Sequence, residues 1–182
     1  MIDQVKNRRG FLTLGLGAAA AMVVTSPVEA AIRRLPERSL HLYSLHTGEN
    51  LKAVYWGEGR YQPRALAQIT RFLRDYRNGA THAIDPHLLD LLVSLQKRMG
   101  VKGPIHVVSG YRSPASNAML ANASDGVATH SLHTQGRAID IRLPGHSVSS
   151  VGRAARSLRA GGVGTYPESD FVHVDTGKVR VW

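Results

Sequence analysis

Two short apolar stretches carry titratable residues at alternating positions, and this pattern constrains the fold more than any other feature. In residues 137–143, Asp140 stands between two isoleucines. In Phe171–Asp175, His173 and Asp175 alternate with apolar residues. Successive side chains of a strand point to opposite faces, so each stretch predicts a strand with one apolar and one polar face. A carboxylate on such a strand needs a cation or strong hydrogen-bond donors, so we expect Asp140 to meet a partner.

The rest of the chain alternates between strand and helix patterns. Residues 40–47 and 51–56 predict a hairpin around Gly48-Glu49-Asn50. Apolar residues at helical spacing predict core-facing helices over 63–76, over 85–99 and after Ser147, with a short helix at 116–122. Further strands are predicted at Ile105–Ser109 and 161–166. This order predicts an α+β domain, with a small mixed or antiparallel sheet and flanking helices.

The first thirty residues have the pattern of an export signal. Paired arginines, Arg8 and Arg9, precede an apolar run over 11–24, and small residues stand at Val28 and Ala30. This pattern predicts a twin-arginine signal peptide over 1–30, cleaved to leave one domain over 31–182. An uncleaved membrane anchor is the alternative. Cleavage would leave no stable membrane span and would place the protein in the periplasm.

Composition narrows the class of site and partner. The 182 residues include no cysteine, which excludes disulfides, cysteine-ligated metals and a cysteine nucleophile. The net charge of +10 favours a polyanionic partner. The predicted export signal opposes nucleic acid and favours peptidoglycan.

One histidine-containing loop leads directly into the Asp140 strand. His133 is followed by Gly136, which permits a tight turn, and then by the strand itself. Two histidines and one carboxylate, here His133, His173 and Asp140, are typical of a catalytic zinc site with one open position. The spacing alone also fits a buried histidine–aspartate pair held by hydrogen bonds.

Four motifs in order resemble the zinc D,D-peptidase family, which includes VanX-type dipeptidases, VanY-type carboxypeptidases and murein endopeptidases. The resemblance covers essentially the whole chain. The motifs are Ser109-Gly110-Tyr111-Arg112-Ser113, Ser131-x-His133-x-x-Gly136-x-Ala138-x-Asp140, Gly161-Gly162-Val163-Gly164-x-Tyr166-Pro167, and Phe171-Val172-His173-Val174-Asp175.

The resemblance implies a D,D-peptidase-like (hedgehog-type) fold and one Zn²⁺ per chain. Its ligands would be His133, Asp140 and His173. Arg112 would bind a carboxylate of the peptide stem, which suits its planar fork. By the same resemblance, Ser109 and Tyr111 would line the site.

Two carboxylates are alternatives for the general base. The family usually has an acidic residue three positions before the last histidine ligand, and Asp170 fills that place. Asp175 shares the strand face of His173 and could instead be the base or orient that ligand.

The resemblance implies a zinc-dependent murein endopeptidase that hydrolyses peptide cross-links between meso-diaminopimelate residues in wall growth or remodelling. A D,D- or L,D-carboxypeptidase that trims stem peptides is the enzymatic alternative. A non-catalytic peptidoglycan-binding module is the alternative outside enzymes. The sequence leaves the oligomeric state open.

Overall fold

The computed structural model describes residues 36–123, 128 and 130–182. The predicted signal peptide therefore lies outside the described residues. The strands are β1 Arg38–Ser44, β2 Asn50–Gly57, β3 Arg60–Tyr61, β4 Ile105–Ser109, β5 Ala138–Arg142, β6 Gly162–Tyr166, β7 Phe171–Asp175 and β8 Arg180–Val181. The helices are α1 Pro63–Phe72, α2 Pro86–Met99, α3 Pro114–Ala123 and α4 Val148–Leu158, with a 3-10 helix at Leu132–Gln135.

The strands form one mixed sheet in the order β3-β2-β1-β4-β5-β7-β6-β8. The pairs β1–β4 and β6–β8 are parallel, and the other neighbouring pairs are antiparallel. Together with the helices, this sheet confirms the predicted α+β class. None of the described helices has the length and apolar character needed to cross a membrane.

Helix α2 forms where the sequence signals are strongest. The Asp85 carboxylate accepts a hydrogen bond from the backbone N–H of His87, and Pro86 occupies the first turn. Gly100 ends the helix with a φ of 68°, in the left-handed region that favours glycine. The predicted leucine face is buried in the core; its members are Leu88, Leu91, Leu92 and Leu95.

Helix α1 ends earlier than its apolar spacing predicts. It stops at Phe72, whereas the repeat extends to Tyr76. The fully buried Asp75 lies in the following turn, where its backbone N–H donates to the carbonyl of Ala80. Tyr76 instead stacks on His46, with ring centroids 3.8 Å apart. Tertiary contacts of the turn therefore override the helical repeat.

The two strands that carry Asp140 and His173 are neighbours in the sheet. Strands β5 and β7 run antiparallel, and their register places Asp140 opposite His173 and Ala138 opposite Asp175. The alternate positions belong to the core; they are Ile139, Ile141, Val172 and Val174. The sheet thus packs one face of this strand pair into the core and gathers polar side chains on the other.

Candidate metal centre

Three buried side chains each bring one ligand atom to a single point: His133 from the 3-10 helix, Asp140 from β5 and His173 from β7. His173 Nδ1 lies 2.9 Å from Asp140 Oδ1 and 3.2 Å from His133 Nε2. His133 Nε2 lies 3.3 Å from Asp140 Oδ1. Residues 40 positions apart in the chain therefore share one small polar cluster.

These separations fit a tetrahedral metal. Ligand atoms about 2.0–2.1 Å from a zinc ion at tetrahedral angles lie about 3.3 Å from one another. The three observed separations of 2.9, 3.2 and 3.3 Å are close to that value. Two imidazole nitrogens and one carboxylate oxygen are also a donor set typical of catalytic zinc, with a fourth position left for water or substrate. The cluster can thus hold a divalent metal ion.

Local backbone structure orients His133. The Ser131 side chain accepts a hydrogen bond from the backbone N–H of His133 at the start of the 3-10 helix. Gly136 ends that helix with a φ of 65°, and a β-carbon there would collide with the carbonyl of Ala83. His133 Nδ1 donates to the carbonyl oxygen of Gly110 at 2.7 Å, which leaves Nε2 as the free lone pair.

A buried carboxylate orients His173. Asp175, which is fully buried, lies 3.1 Å from His173 Nε2 through its Oδ2 atom. Arg180 donates to both oxygens of Asp175, at 2.7 and 3.2 Å. The backbone N–H groups of Gly162 and Gly177 also donate to Asp175, at 3.0 and 2.8 Å. A carboxylate with so many donors holds the proton on His173 Nε2 and leaves Nδ1 for the metal.

Hydrogen accounting also favours a cation in the cluster. His133 Nδ1 must carry a hydrogen because a carbonyl only accepts, and His173 Nε2 donates to a carboxylate. When both rings are neutral, the two remaining nitrogens and Asp140 Oδ1 present three converging lone pairs. A metal cation satisfies all three at once, whereas a histidine–aspartate pair held by hydrogen bonds needs at least one extra proton.

The same contacts shift the pKa values of the cluster. Burial would raise the pKa of Asp140, but the charges of His133 and His173 and their hydrogen bonds outweigh it and lower that pKa. Burial would lower the pKa of His173, but its bonds to Asp140 and Asp175 raise it above the ordinary value. Burial opposes the ionised form of Asp175, yet hydrogen bonds from His173 and Arg180 lower its pKa. The carboxylates therefore remain charged in the metal-free protein, and protons compete with metal at His173.

The cluster opens onto a cavity of about 310 Å³. Besides the three ligand residues, the lining includes two arginines, polar loop residues and aromatic rings; among these are Arg112, Arg180, His130, Ser131, Tyr166, Phe171 and Trp182. A cavity of this size admits part of a peptide beside the ligand atoms.

Arg112 is a buried cation in this cavity. Its Nη2 atom lies 3.8 Å from Asp140 Oδ2, and its Nη1 atom donates to Asn117 at 3.4 Å. Its Nε atom is buried without a hydrogen-bond partner in the described part of the chain. Burial lowers the pKa of Arg112, and the charge of Asp140 opposes that effect. A guanidinium with unused donors beside the ligands can receive a substrate carboxylate or carbonyl.

Neither predicted general base lines the cavity. Asp175 lies behind His173, saturated with donors. The Asp170 side chain is 68% exposed and pairs with Arg142, with Oδ2 and Nε 3.4 Å apart. It lines a different cavity, of about 230 Å³, on the other side of Phe171.

Ser109 and Tyr111, predicted to line the site, do not reach the metal cavity. Ser109 is buried and lies opposite Asp140 in the β4–β5 register. Tyr111 is buried against His82, with ring centroids 5.3 Å apart, and its backbone N–H donates to Leu73. Gly110 follows strand β4 and packs against Leu73, and Arg112, further along the same loop, lines the cavity.

Two features of the site have no clear signal in the sequence. The Asp75 carboxylate accepts hydrogen bonds from the backbone N–H and the hydroxyl of Ser113, at 2.9 and 2.8 Å, and so holds the loop that carries Arg112. Trp182 lines the metal cavity. Asp75 stands in a polar stretch and Trp182 is a single aromatic, so neither forms a motif.

Comparisons with known proteins agree with this geometry. The family model described as peptidoglycan L,D-endopeptidase MepK matches residues 33–182. A protein of that name from Escherichia coli is 44% identical over 176 residues, which is 97% of this chain and 97% of the relative. A probable peptidoglycan L,D-endopeptidase MepK from Haemophilus influenzae is 38% identical over 182 residues, or 100% of this chain and 97% of the relative. The chain therefore belongs to the peptidoglycan L,D-endopeptidase MepK family, whose members are hydrolytic metallopeptidases.

Proposed function

We propose that this protein is a zinc-dependent murein endopeptidase that hydrolyses peptide cross-links, namely those between two meso-diaminopimelate residues. The observation that carries the proposal is the trio of ligand atoms 2.9–3.3 Å apart at the edge of a cavity that also contains a buried arginine. The names of the relatives support peptidoglycan as the substrate.

His133, Asp140 and His173 would hold the zinc ion. When bound, zinc supplies Lewis acidity, which polarises an amide carbonyl and activates water for attack. Gly110 and Asp175 fix the two rings so that the ligand nitrogens need no reorientation. This preorganisation stabilises developing charge without a cost at the moment of reaction.

Arg112 would bind a carboxylate of the stem peptide. Its Nη atoms, which contact Asn117 and Asp140 only at 3.4 and 3.8 Å, provide the donors. A bidentate contact would fix the substrate beside the ligand trio and hold its scissile amide in place.

Asp170 remains our proposed general base. The neighbours Ser169 and Phe171 both line the metal cavity. The Asp170 carboxylate would reach the cavity by breaking its ion pair with Arg142 and rotating to the other side of the chain. It would accept a proton from the attacking water and deliver it to the leaving amine. Replacement by asparagine should lower turnover and leave the zinc content unchanged; wild-type turnover of Asp170→Asn would eliminate this role.

The proposed location is the periplasm, reached by the twin-arginine route with cleavage after Ala30. Residues 31–182 keep a net charge of +9, which supports association with an anionic wall polymer. Fractionation of cells that express the full chain, with Arg8 and Arg9 replaced by lysine as a control, tests the route. Export that survives the double replacement would contradict it.

The decisive assay incubates residues 31–182 and zinc with isolated cross-linked peptidoglycan and identifies the released muropeptides by mass spectrometry. We expect loss of cross-linked dimers that requires both zinc and His133, with a chelator and His133→Ala as controls. Release of terminal D-alanine alone would make the protein a carboxypeptidase. No change with zinc bound and the fold intact would point to a binding module or a missing activator.

A further inference from the structure

One wall of the metal cavity is aromatic. We call Tyr166, Phe171 and Trp182 the aromatic wall. Tyr166 stacks on Phe171 with ring centroids 4.5 Å apart, and the indole N–H of Trp182 donates to the Tyr166 hydroxyl at 2.7 Å. The Trp182 ring centroid lies 5.2 Å from that of the ligand His173. The wall therefore begins directly beside the ligand trio.

The position of Trp182 is fixed by several independent contacts. Its backbone N–H donates to Val163, and its carbonyl accepts from Thr165. The guanidinium carbon of Arg180 lies 4.8 Å from its ring centroid. A β-carbon at Gly164 would lie 2.6 Å from the indole, so the ring packs closely against strand β6. A side chain with this many constraints presents one defined surface.

These contacts nevertheless do not enclose Trp182. Trp182 is 46% exposed, although its ring lines a cavity and touches a buried histidine. Its partner Tyr166 is also only partly buried. An ordered indole face in an active-site cavity favours a ligand that has an apolar segment.

The cavity therefore combines two recognition chemistries: the donors of buried Arg112 and the flat apolar face of Trp182. A short aliphatic chain that ends in a carboxylate matches both. The side chain of diaminopimelate, with three methylenes before a carbon that bears amine and carboxylate, has this chemistry.

We infer that Trp182 is a substrate-binding residue that packs on the aliphatic chain of the diamino acid in the cross-link. The inference rests on the proposed function and adds the residue that selects this segment of the substrate. Tyr166 holds the indole in place through the hydrogen bond to its N–H.

The test measures KM and kcat on a purified, cross-linked muropeptide dimer. Trp182→Ala should raise KM about tenfold, since even a single methylene contact in an apolar pocket is worth that much. Its kcat should stay within about twofold and its zinc content should equal that of the wild type. Trp182→Phe restores an aromatic face and should stay within about threefold of the wild-type KM.

Two further variants separate binding from folding. Gly164→Ala pushes the indole out of place and should reproduce the rise in KM with Trp182 intact. Val179→Ala changes a side chain that is 55% exposed in the same C-terminal segment and lies outside the cavity lining, so it should behave as wild type.

The Kd of metal-free protein for the same dimer keeps this inference separate from the proposed function, because binding needs no turnover. A rise in Kd of Trp182→Ala that matches the expected rise in KM supports the inference, even if the wild type does not cleave the dimer. Failure of the wild type to cleave the dimer would refute only the proposed function. An unchanged KM and Kd for Trp182→Ala would overturn the inference. So would a loss of zinc content that accounts for the whole defect.

Discussion

Replacing Asp175 with asparagine should weaken zinc binding without removing the chemical step. Asparagine keeps one oxygen and puts an NH₂ group where the other oxygen was. If that group faces His173 Nε2, two donors meet. His173 then moves its proton to Nδ1, the atom that lies 2.9 Å from Asp140 and faces the metal position.

The magnitude follows from the contacts that are lost. Second partners of metal-bound histidines typically contribute 10–100-fold to metal affinity, which corresponds to about 1.4–2.8 kcal/mol. Arg180 also loses a carboxylate bonded at 2.7 and 3.2 Å. Unpaired buried donors should lower the free energy of unfolding by about 1–3 kcal/mol.

The assay has two parts, a zinc titration against a competing chelator and turnover of a cross-linked dimer at saturating zinc. We expect the weaker affinity in the first and turnover within several-fold of wild type in the second. Asp90→Asn is the matched control, because Asp90 is a carboxylate bonded to Tyr55 and Tyr61 away from the metal cavity. It should lose stability and keep its zinc affinity.

Unchanged zinc affinity in Asp175→Asn, with turnover more than a hundredfold lower at full zinc occupancy, would refute this reasoning. That result would make Asp175 the proton-transfer group, the role that the sequence left open for it.

Three other predictions concern substrate, backbone and pH. Arg112→Lys should raise KM about tenfold or more with zinc affinity unchanged, because an ammonium lacks the planar fork; a wild-type KM would contradict a carboxylate contact. Gly136→Ala should lower the free energy of unfolding by more than about 2 kcal/mol, because the new β-carbon would collide with the carbonyl of Ala83. Gly145→Ala, at a φ of 79° but with no atom near the new β-carbon, should lower it by only about 1 kcal/mol. Thermal melts that rank the two variants the other way would refute the collision at Gly136. The pKa of Asp140 is lowered from its ordinary value of 3.8, so Asp140 stabilises the fold above pH 3.8 and this stabilisation is lost at lower pH. The pKa of His173 is raised from its ordinary value of 6.5, so His173 stabilises the fold below pH 6.5 and this stabilisation is lost as the pH rises through the raised pKa. The metal-free protein should therefore be most stable between about pH 4 and 6.5, and bound zinc should abolish the loss of stability above that range. Denaturant titrations in which the metal-free and the zinc-bound protein show the same dependence of stability on pH would contradict this prediction.

Strand alternation was sufficient to predict which residues share the polar face. Because side chains alternate between the two faces of a strand, Asp140 points away from the core isoleucines on either side of it, and His173 shares a face with Asp175. Both strands form at the predicted positions. The pattern contains no information on the register between the strands. The pairing of Asp140 with His173 arises from the tertiary arrangement of β5 and β7.

Loops and turns account for what the sequence did not reveal. Ser109 and Arg112 lie in one motif, but Ser109 ends strand β4 and only Arg112, in the loop that follows, lines the cavity. Asp170 has a φ of 52°, and this left-handed turn directs its side chain to Arg142. Trp182 reaches the site only because β8 pairs with β6, a contact between two short strands that no local pattern specifies.

We propose that one zinc ion, held by His133, Asp140 and His173, is required to cleave the cross-link. The most direct measurement adds zinc stepwise to the metal-free protein and follows hydrolysis of a purified cross-linked dimer. We predict that the rate rises linearly, reaches a plateau at about one zinc per chain and stays at background in His133→Ala. Cleavage by the metal-free protein, or by zinc-treated His133→Ala at the wild-type rate, would contradict the account.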